Sequence, residues 1–283
     1  MKNILLVLLF IVAGCTNKNE TPPIIQQICS SEFCSENGAK ELINLYEDDN
    51  MTNETMTFKI NCIVATNKKV DFNFQKKIKN LNKVFIKGKI KFIVHSEISI
   101  SPQKLTIDQI AEKEGIFTQF KQNLKKEKSI NIIIVPHGKS LNGFTLVLPE
   151  KFLNYLNLGY ETIYISDKAW FNTSTLQHEL GHFFGLQHTF GELIKENSTL
   201  EKPNGTNCKE EGDFIRDTPS DPNGKTDAYC NYVKSINKNG KIYSPKVNNY
   251  MSYYPNKCKN EFTKGQYKAM NLFAKEYRSY LIY

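Results

Sequence analysis

No two of the seven cysteines stand in a CxxC spacing, which excludes the common zinc-finger framework. No apolar run reaches the roughly 20 residues that a membrane-spanning helix needs; the N-terminal one, Ile4 to Ala13, falls well short. The 37 Lys and Arg outnumber the 29 Asp and Glu, giving a net charge of +8, yet the lysines are spread along the chain and no basic block is interleaved with aromatics. That balance describes a solvated, lysine-rich surface and excludes nucleic acid as the partner. No stretch repeats. Histidine is scarce, five in 283 residues, so where it falls is informative. What is present, 40% hydrophobic residues with 18 Phe and 14 Tyr, is the composition of a folded globular protein of one or two domains.

The first residues, MKNILLVLLFIVAGC, carry a Lys at position 2, a short apolar run and small residues before Cys15. This is the h-region pattern of a secretory signal. Its ending, VAGC, resembles the bacterial lipoprotein signal. That resemblance implies a signal peptide over 1–14, lipidation of Cys15, and a membrane contact through the N-terminal lipid anchor alone. The chain is therefore expected to be exported, facing the periplasm or the cell surface, or secreted. Residues 15–56, polar and aperiodic, read as a lipidated tether or pro-segment. Export favours disulfides among the remaining cysteines, Cys29, Cys34, Cys62, Cys208, Cys230 and Cys258, without revealing which pair.

From residue 57 the pattern becomes regular. TFKINCIVAT alternates as a strand, and in DFNFQKKIKNLNKVF the residues Phe74, Ile78, Leu81 and Phe85 recur at helical spacing. KIKFIVHSEI is a strand, LTIDQIAEKEGIFTQFKQNLKK a helix weakened by Gly115, and INIIIVP a short, fully buried strand; FTLVLP and ETIYISD supply two more. The order predicts an α/β (α+β) fold, a mixed five-stranded sheet with two helices packed on it. A helix is expected near Thr173 to Phe184. Residues 189–258, rich in Asn, Gly, Pro and Asp, are irregular, and a last helix opens at Thr263, whose Gln266 completes a capping box. One domain, 57–283, thus divides into an upper part, 57–187, and an irregular lower part, 188–283, ending in a helix.

Three of the five histidines lie in QHELGHFFGLQH, residues 177–188. His178 and His182, four apart, share one face of a helix, where both imidazoles reach one metal ion at about 2.1 Å. On a continued helix His188 would lie about 15 Å further along the axis, out of reach of that ion. The helix must break, and Gly185 permits this by taking the left-handed conformation. Gly181 leaves the helix thin where another backbone can pass. Three neutral imidazoles leave a tetrahedral zinc one open position, the mark of a catalytic site. Glu179 lies about 100° round the helix from His178, placed to act as general base on a metal-activated water and then to protonate a leaving amine. Peptide-bond hydrolysis is the expected reaction. His95 and His137 have no such company and read as structural or surface residues.

HELGHFFGLQH is similar to the HExxHxxGxxH signature of the metzincin metallopeptidases. NNYMSYY supplies the methionine those enzymes carry in a turn below the metal, so the resemblance implies Met251 as the hydrophobic floor and Tyr253 as donor to the transition-state oxyanion. Within the metzincins the chain resembles the pappalysin family, through GDFIRDTPSDP at 212–222, NNYMSYY itself and CKNEFTKGQYKAM near the end. The likeness covers roughly 57–283. It implies a zinc endopeptidase with two helices above the cleft, peptides lying along the edge strand near LNGFTLVLP, a disulfide between Cys230 and Cys258, and calcium held by Asp213, Asp217, Thr218 and Asp221. Two departures bear on substrate choice. Ser252 stands where the family has Asp, and Asn256, at the S1′ pocket position, is neutral where a relative selective for basic residues is acidic, which weakens any preference for Arg at P1′. Cys29 and Cys34 match a latency cysteine only loosely. Against the endopeptidase stand a catalytically silent surface-binding lipoprotein or adhesin that keeps the fold, and a zinc hydrolase of non-peptide amides; the intact Glu179 and histidines favour the peptidase.

Overall fold

A computed structural model describes residues 12–16, 51–101, 105–112, 128–146, 162–172, 174–191, 199–234, 240 and 242–283. The sheet contains β1 (Val12–Thr16), β2 (Met56–Val64), β3 (Ile90–Ser99), β4 (Ile130–Val135), β5 (Leu141–Leu146) and β6 (Thr162–Ser166), in the order β1-β5-β6-β4-β2-β3. Strands β3, β2, β4 and β6 run parallel, and β5 returns antiparallel along β6. Strands β2 to β6 are thus the mixed five-stranded sheet that the pattern predicts. β1 adds a sixth strand, antiparallel on the outer edge of β5, and it spans the expected signal-cleavage position. The rest of the expected signal peptide and tether up to residue 50 lies outside the described residues. No helix among the described residues is long and apolar enough to cross a membrane.

Burial on both faces explains the composition of the central strand. In β4, Ile130, Ile132 and Ile134 enter one core, while Ile133 and Val135 enter the other, as the two-residue period of a strand requires. Against the first face pack α1 (Phe74–Phe85), α3 (Thr175–Phe183) and α4 (Lys264–Tyr277); against the second packs α2 (Ile107–Glu112). The predicted stripe of Phe74, Ile78, Leu81 and Phe85 is the buried side of α1, and Asn73 Oδ1 accepts the Lys76 N–H at its start. The helix expected over 105–126 is present at 107–112, and its continuation lies outside the described residues. The edge strand begins three residues before FTLVLP, at Leu141.

The lower part is irregular as expected, and it is fastened to the sheet by α4. Thr263 Oγ1 accepts the Gln266 N–H while Gln266 Oε1 accepts the Thr263 N–H, completing the predicted capping box. Cys230 and Cys258 form a disulfide with a Cα–Cα distance of 5.6 Å. General pairing of the other cysteines does not follow. Cys62 and Cys208 are free thiols: Cys62 points from β2 into the first core, while Cys208 is buried in the loop region after residue 199. Cys29 and Cys34 lie outside the described residues.

Candidate active site

α3 ends where the glycine argument requires. Gly185 has φ 87°, its N–H bonds to His182 O at 2.9 Å, and the Leu186 N–H bonds to Gly181 O at 2.9 Å. This is the paired pattern of a Schellman turn, which satisfies the last carbonyls and reverses the chain. One consequence is that the Leu186 carbonyl comes back beneath the helix and meets His182 Nδ1 at 2.8 Å. His178 Nδ1 meets the carbonyl of Tyr250 at 2.7 Å. A carbonyl can only accept, so each Nδ1 carries the proton and each Nε2 offers a lone pair.

Those lone pairs converge. His182 Nε2 lies 3.0 Å from His178 Nε2 and 3.2 Å from His188 Nε2. Among the described residues this trio is the one group of three or more His, Cys, Asp or Glu whose ligand atoms all fall within 4.8 Å of one another. Acceptor facing acceptor at that distance is a site built for a cation, and imidazole nitrogen suits zinc. Burial lowers the basicity of all three rings, taking His182 down to about 4 and His178 and His188 well below the ordinary value, with mutual repulsion and Lys259 adding to the effect on the latter two. His178 and His182 are buried, whereas His188 keeps partial exposure towards the cleft. Its ring stacks on Phe190 at 4.8 Å between centroids.

Tyr253 closes the other side of the trio, 4.6 Å from the His188 ring and 4.8 Å from Phe190. Met251 is fully buried below α3. A Cβ at Gly181 would overlap its sulfur, so the thin place on the helix admits the Met251 side chain and not, as expected, a passing backbone. Asn249, also buried, braces this turn by accepting the Met251 N–H at 2.8 Å and donating to Gln266 Oε1 at 2.8 Å. Glu179 is fully buried and meets the edge strand: Thr145 Oγ1 lies 3.1 Å from both its Oε2 and its carbonyl oxygen.

Of the four expected calcium ligands, the three carboxylates Asp213, Asp217 and Asp221 do not bring their oxygens within 4.8 Å of one another. Asp217 accepts from Thr263 Oγ1 at 2.8 Å and from the Gly265 N–H at 2.9 Å, capping α4. Asp221, buried, accepts from Thr189 Oγ1 (2.5 Å), Tyr254 Oη (2.7 Å) and the Asn223 N–H (2.8 Å). It therefore joins the residue after His188 to the residue after Tyr253. Asp213 remains, near buried Glu201 and beside buried Thr218, whose hydroxyl faces its carboxyl. Burial raises the Glu201 carboxyl to about 8, helped by repulsion from Asp221 and Glu211, and burial followed by repulsion from Glu201 raises Asp213. Acids whose folded pKa is raised favour folding at low pH and lose that contribution as pH climbs. Above about pH 6.5, where the three histidines are neutral in the folded and the unfolded chain alike, the chelator-treated protein should therefore lose stability up to about pH 8, by up to about 1.4 kcal/mol per pH unit for each proton. Thermal melts across this range should show the slope, and Glu201→Gln should flatten it; an unchanged slope in that variant excludes Glu201 as its source.

Asn256 sits at the start of α3, where its Oδ1 accepts from Ser174 Oγ at 2.9 Å. Lys259, only 6% exposed, donates from Nζ to the Ser252 carbonyl at 3.2 Å. Neither Lys259 nor Thr145, Glu201 and Asn249 was legible as part of the site, because each is joined to it only by tertiary contact. His95 and His137 hold serine partners, Ser129 and Ser166, as structural residues do.

A family model, Peptidase_M43: Pregnancy-associated plasma protein-A, matches residues 118–275, more than half of the chain. An extracellular metalloprotease of Arthroderma benhamiae is 33% identical over 105 residues, covering 37% of this chain and 31% of that one. One from Neurospora crassa is 30% identical over 132 residues, 47% of this chain and 35% of that one. The chain spans about a third of the length of the curated relatives it matches. Among solved structures, metalloproteinase-II from Bacteroides fragilis is similar at a TM-score of 0.37 and 13% identity, over 56% of this chain and 52% of that one.

Proposed function

This chain belongs to the Peptidase_M43 (Pregnancy-associated plasma protein-A) family, and from that premise we propose that it is an exported zinc endopeptidase with Glu179 as general base. The observation that carries the reading is the convergence of three Nε2 lone pairs, two of them aimed by carbonyls on Nδ1, beside a buried carboxylate. His178, His182 and His188 would hold the zinc. When bound, it supplies Lewis acidity that activates a water and polarises the scissile carbonyl. Glu179 takes the proton of the attacking water on its carboxylate and delivers it to the leaving nitrogen. Tyr253 Oη donates a hydrogen bond to the oxyanion as charge develops there. Met251 fixes the underside of α3 so that the two helical imidazoles keep their spacing.

Peptide substrates run along the outer edge of β5, adding a strand by main-chain hydrogen bonds. In this structure β1 pairs with that edge. Cleavage before Cys15 removes residues 12–14 of β1 and frees most of the edge, so export and activation are one event in this reading. The relatives named extracellular metalloproteases support export, and Cys15 then carries the lipid anchor. Glu201 and Asp213 together with Thr218 would hold calcium, where burial raises both carboxyls and Glu201 raises Asp213 further, so that a cation would relieve both.

The test is cleavage of a random peptide library by zinc-loaded protein beginning at residue 16. Cuts at defined positions support the reading, and an intact library at full zinc content removes it. The same data read the S1′ pocket. With a neutral Asn256 and the Lys259 ammonium nearby, Arg and Lys should be depleted at P1′, and Lys259→Met should relax that depletion. Enrichment of basic P1′ residues would contradict the assignment of Asn256 and Lys259 to that pocket.

A further inference from the structure

We infer that Thr145 is a positioning residue that holds the Glu179 carboxylate in its working place and ties it to the strand along which substrate docks. The inference rests on the reading of Glu179 as general base. Thr145 and Glu179 are both fully buried, and the threonine hydroxyl lies 3.1 Å from Glu179 Oε2 and 3.1 Å from the Glu179 carbonyl oxygen. A hydroxyl has one proton to give, so this is a shared bond that reaches the side chain and the main chain of the same residue. A rotation of Glu179 about its own torsions would break one arm of it.

The second contact comes from Gly143. It stands two residues before Thr145, on the same face of β5. A Cβ there would lie 2.9 Å from Glu179 Oε1 and 3.0 Å from Glu179 Cγ, so glycine allows the strand to close on the carboxylate. One oxygen is thus covered by Gly143 and the other is held by Thr145. Both residues belong to β5, whose pairing with β6 sets Gly143 opposite Ile165 and Thr145 opposite Ile163. Gly143 and Thr145 face Glu179 on α3 while Phe144 between them faces the second core, and the backbone N–H and C=O groups of β5 lie in the sheet plane, where an incoming peptide pairs. The strand that sets the register of the scissile bond therefore also sets the position of the base. A base must be placed to within fractions of an ångström, and a misplacement of about 1 Å can cost about 100-fold in rate.

Two variants and the unmutated protein, zinc-loaded and given a cleavable peptide, test this. Thr145→Val keeps the shape and removes the hydroxyl; Thr145→Ser keeps the hydroxyl and removes the methyl. Thr145→Val should lower kcat about 10- to 100-fold with KM and zinc content little changed, and Thr145→Ser should recover most of the loss. A kcat within twofold in Thr145→Val overturns the inference, as does an equal loss in the serine variant, which would make the effect one of packing. If the unmutated protein binds zinc and cuts nothing, the endopeptidase reading fails by itself. Placement is then decided by the crystal structure of Thr145→Val: a displaced Glu179 carboxylate supports the inference, and an unmoved one overturns it.

Discussion

Glu179→Gln should lower kcat/KM for peptide cleavage by about 10²- to 10⁴-fold while zinc content stays at that of the unmutated protein. The amide matches the carboxylate in size, and its oxygen can still accept from Thr145 Oγ1, so the helix and its packing are retained. The metal ligands are untouched, because His178 and His182 are aimed by the carbonyls of Tyr250 and Leu186. What disappears is the group that accepts a proton at neutral pH. Steady-state kinetics and metal analysis on the same preparation measure both quantities. Full activity in the variant would show that Glu179 is not the base, and loss of zinc together with activity would show that its role is to support the ligands.

Gly185→Ala should destabilise the protein strongly. At φ 87° an alanine pays the left-handed penalty, about 1–2 kcal/mol. Its Cβ would also stand 2.6 Å from Phe273 Cγ, inside the core formed with α4. Overpacking of that kind costs roughly 1–3 kcal/mol more. The sum is several kcal/mol against a total stability of about 5–15 kcal/mol. The damage reaches the metal site as well, since the turn at Gly185 returns Leu186 O to His182 and brings His188 back to the trio. Denaturant unfolding of the metal-free variant and its zinc affinity should fall together. A variant with unaltered unfolding would mean that the turn relaxes without cost, and that the Schellman geometry is not what brings His188 into place.

The parts of this molecule that sequence reveals are those set by local spacing. Phe74, Ile78, Leu81 and Phe85 are buried as their period requires, Thr263 and Gln266 cap α4, and the break at Gly185 follows from the need to return His188 to its partners. The Cys230–Cys258 bridge was legible by resemblance alone. What stayed hidden depends on partners far along the chain. Asp217 and Asp221 have the chemistry of calcium ligands, but the fold offers one an exposed helix start and the other three nearby donors, and a satisfied carboxylate has little left for a cation. Gly181 signals a close approach without saying that a methionine sulfur makes it. Cys62 has the residue type of a disulfide partner, yet its place on β2 sets it among apolar side chains. Thr145 is 34 positions from Glu179, and only the pairing of β5 with β6 brings it there.

The most direct test of the central claim is a zinc titration of metal-free protein beginning at residue 16, with peptide cleavage followed at each addition. The account predicts that activity rises in proportion to zinc, stops at one equivalent, and is absent at every point in a His182→Ala variant. Cleavage that is present before zinc is added, or a chain that fills with one zinc and still leaves every peptide intact, would contradict it.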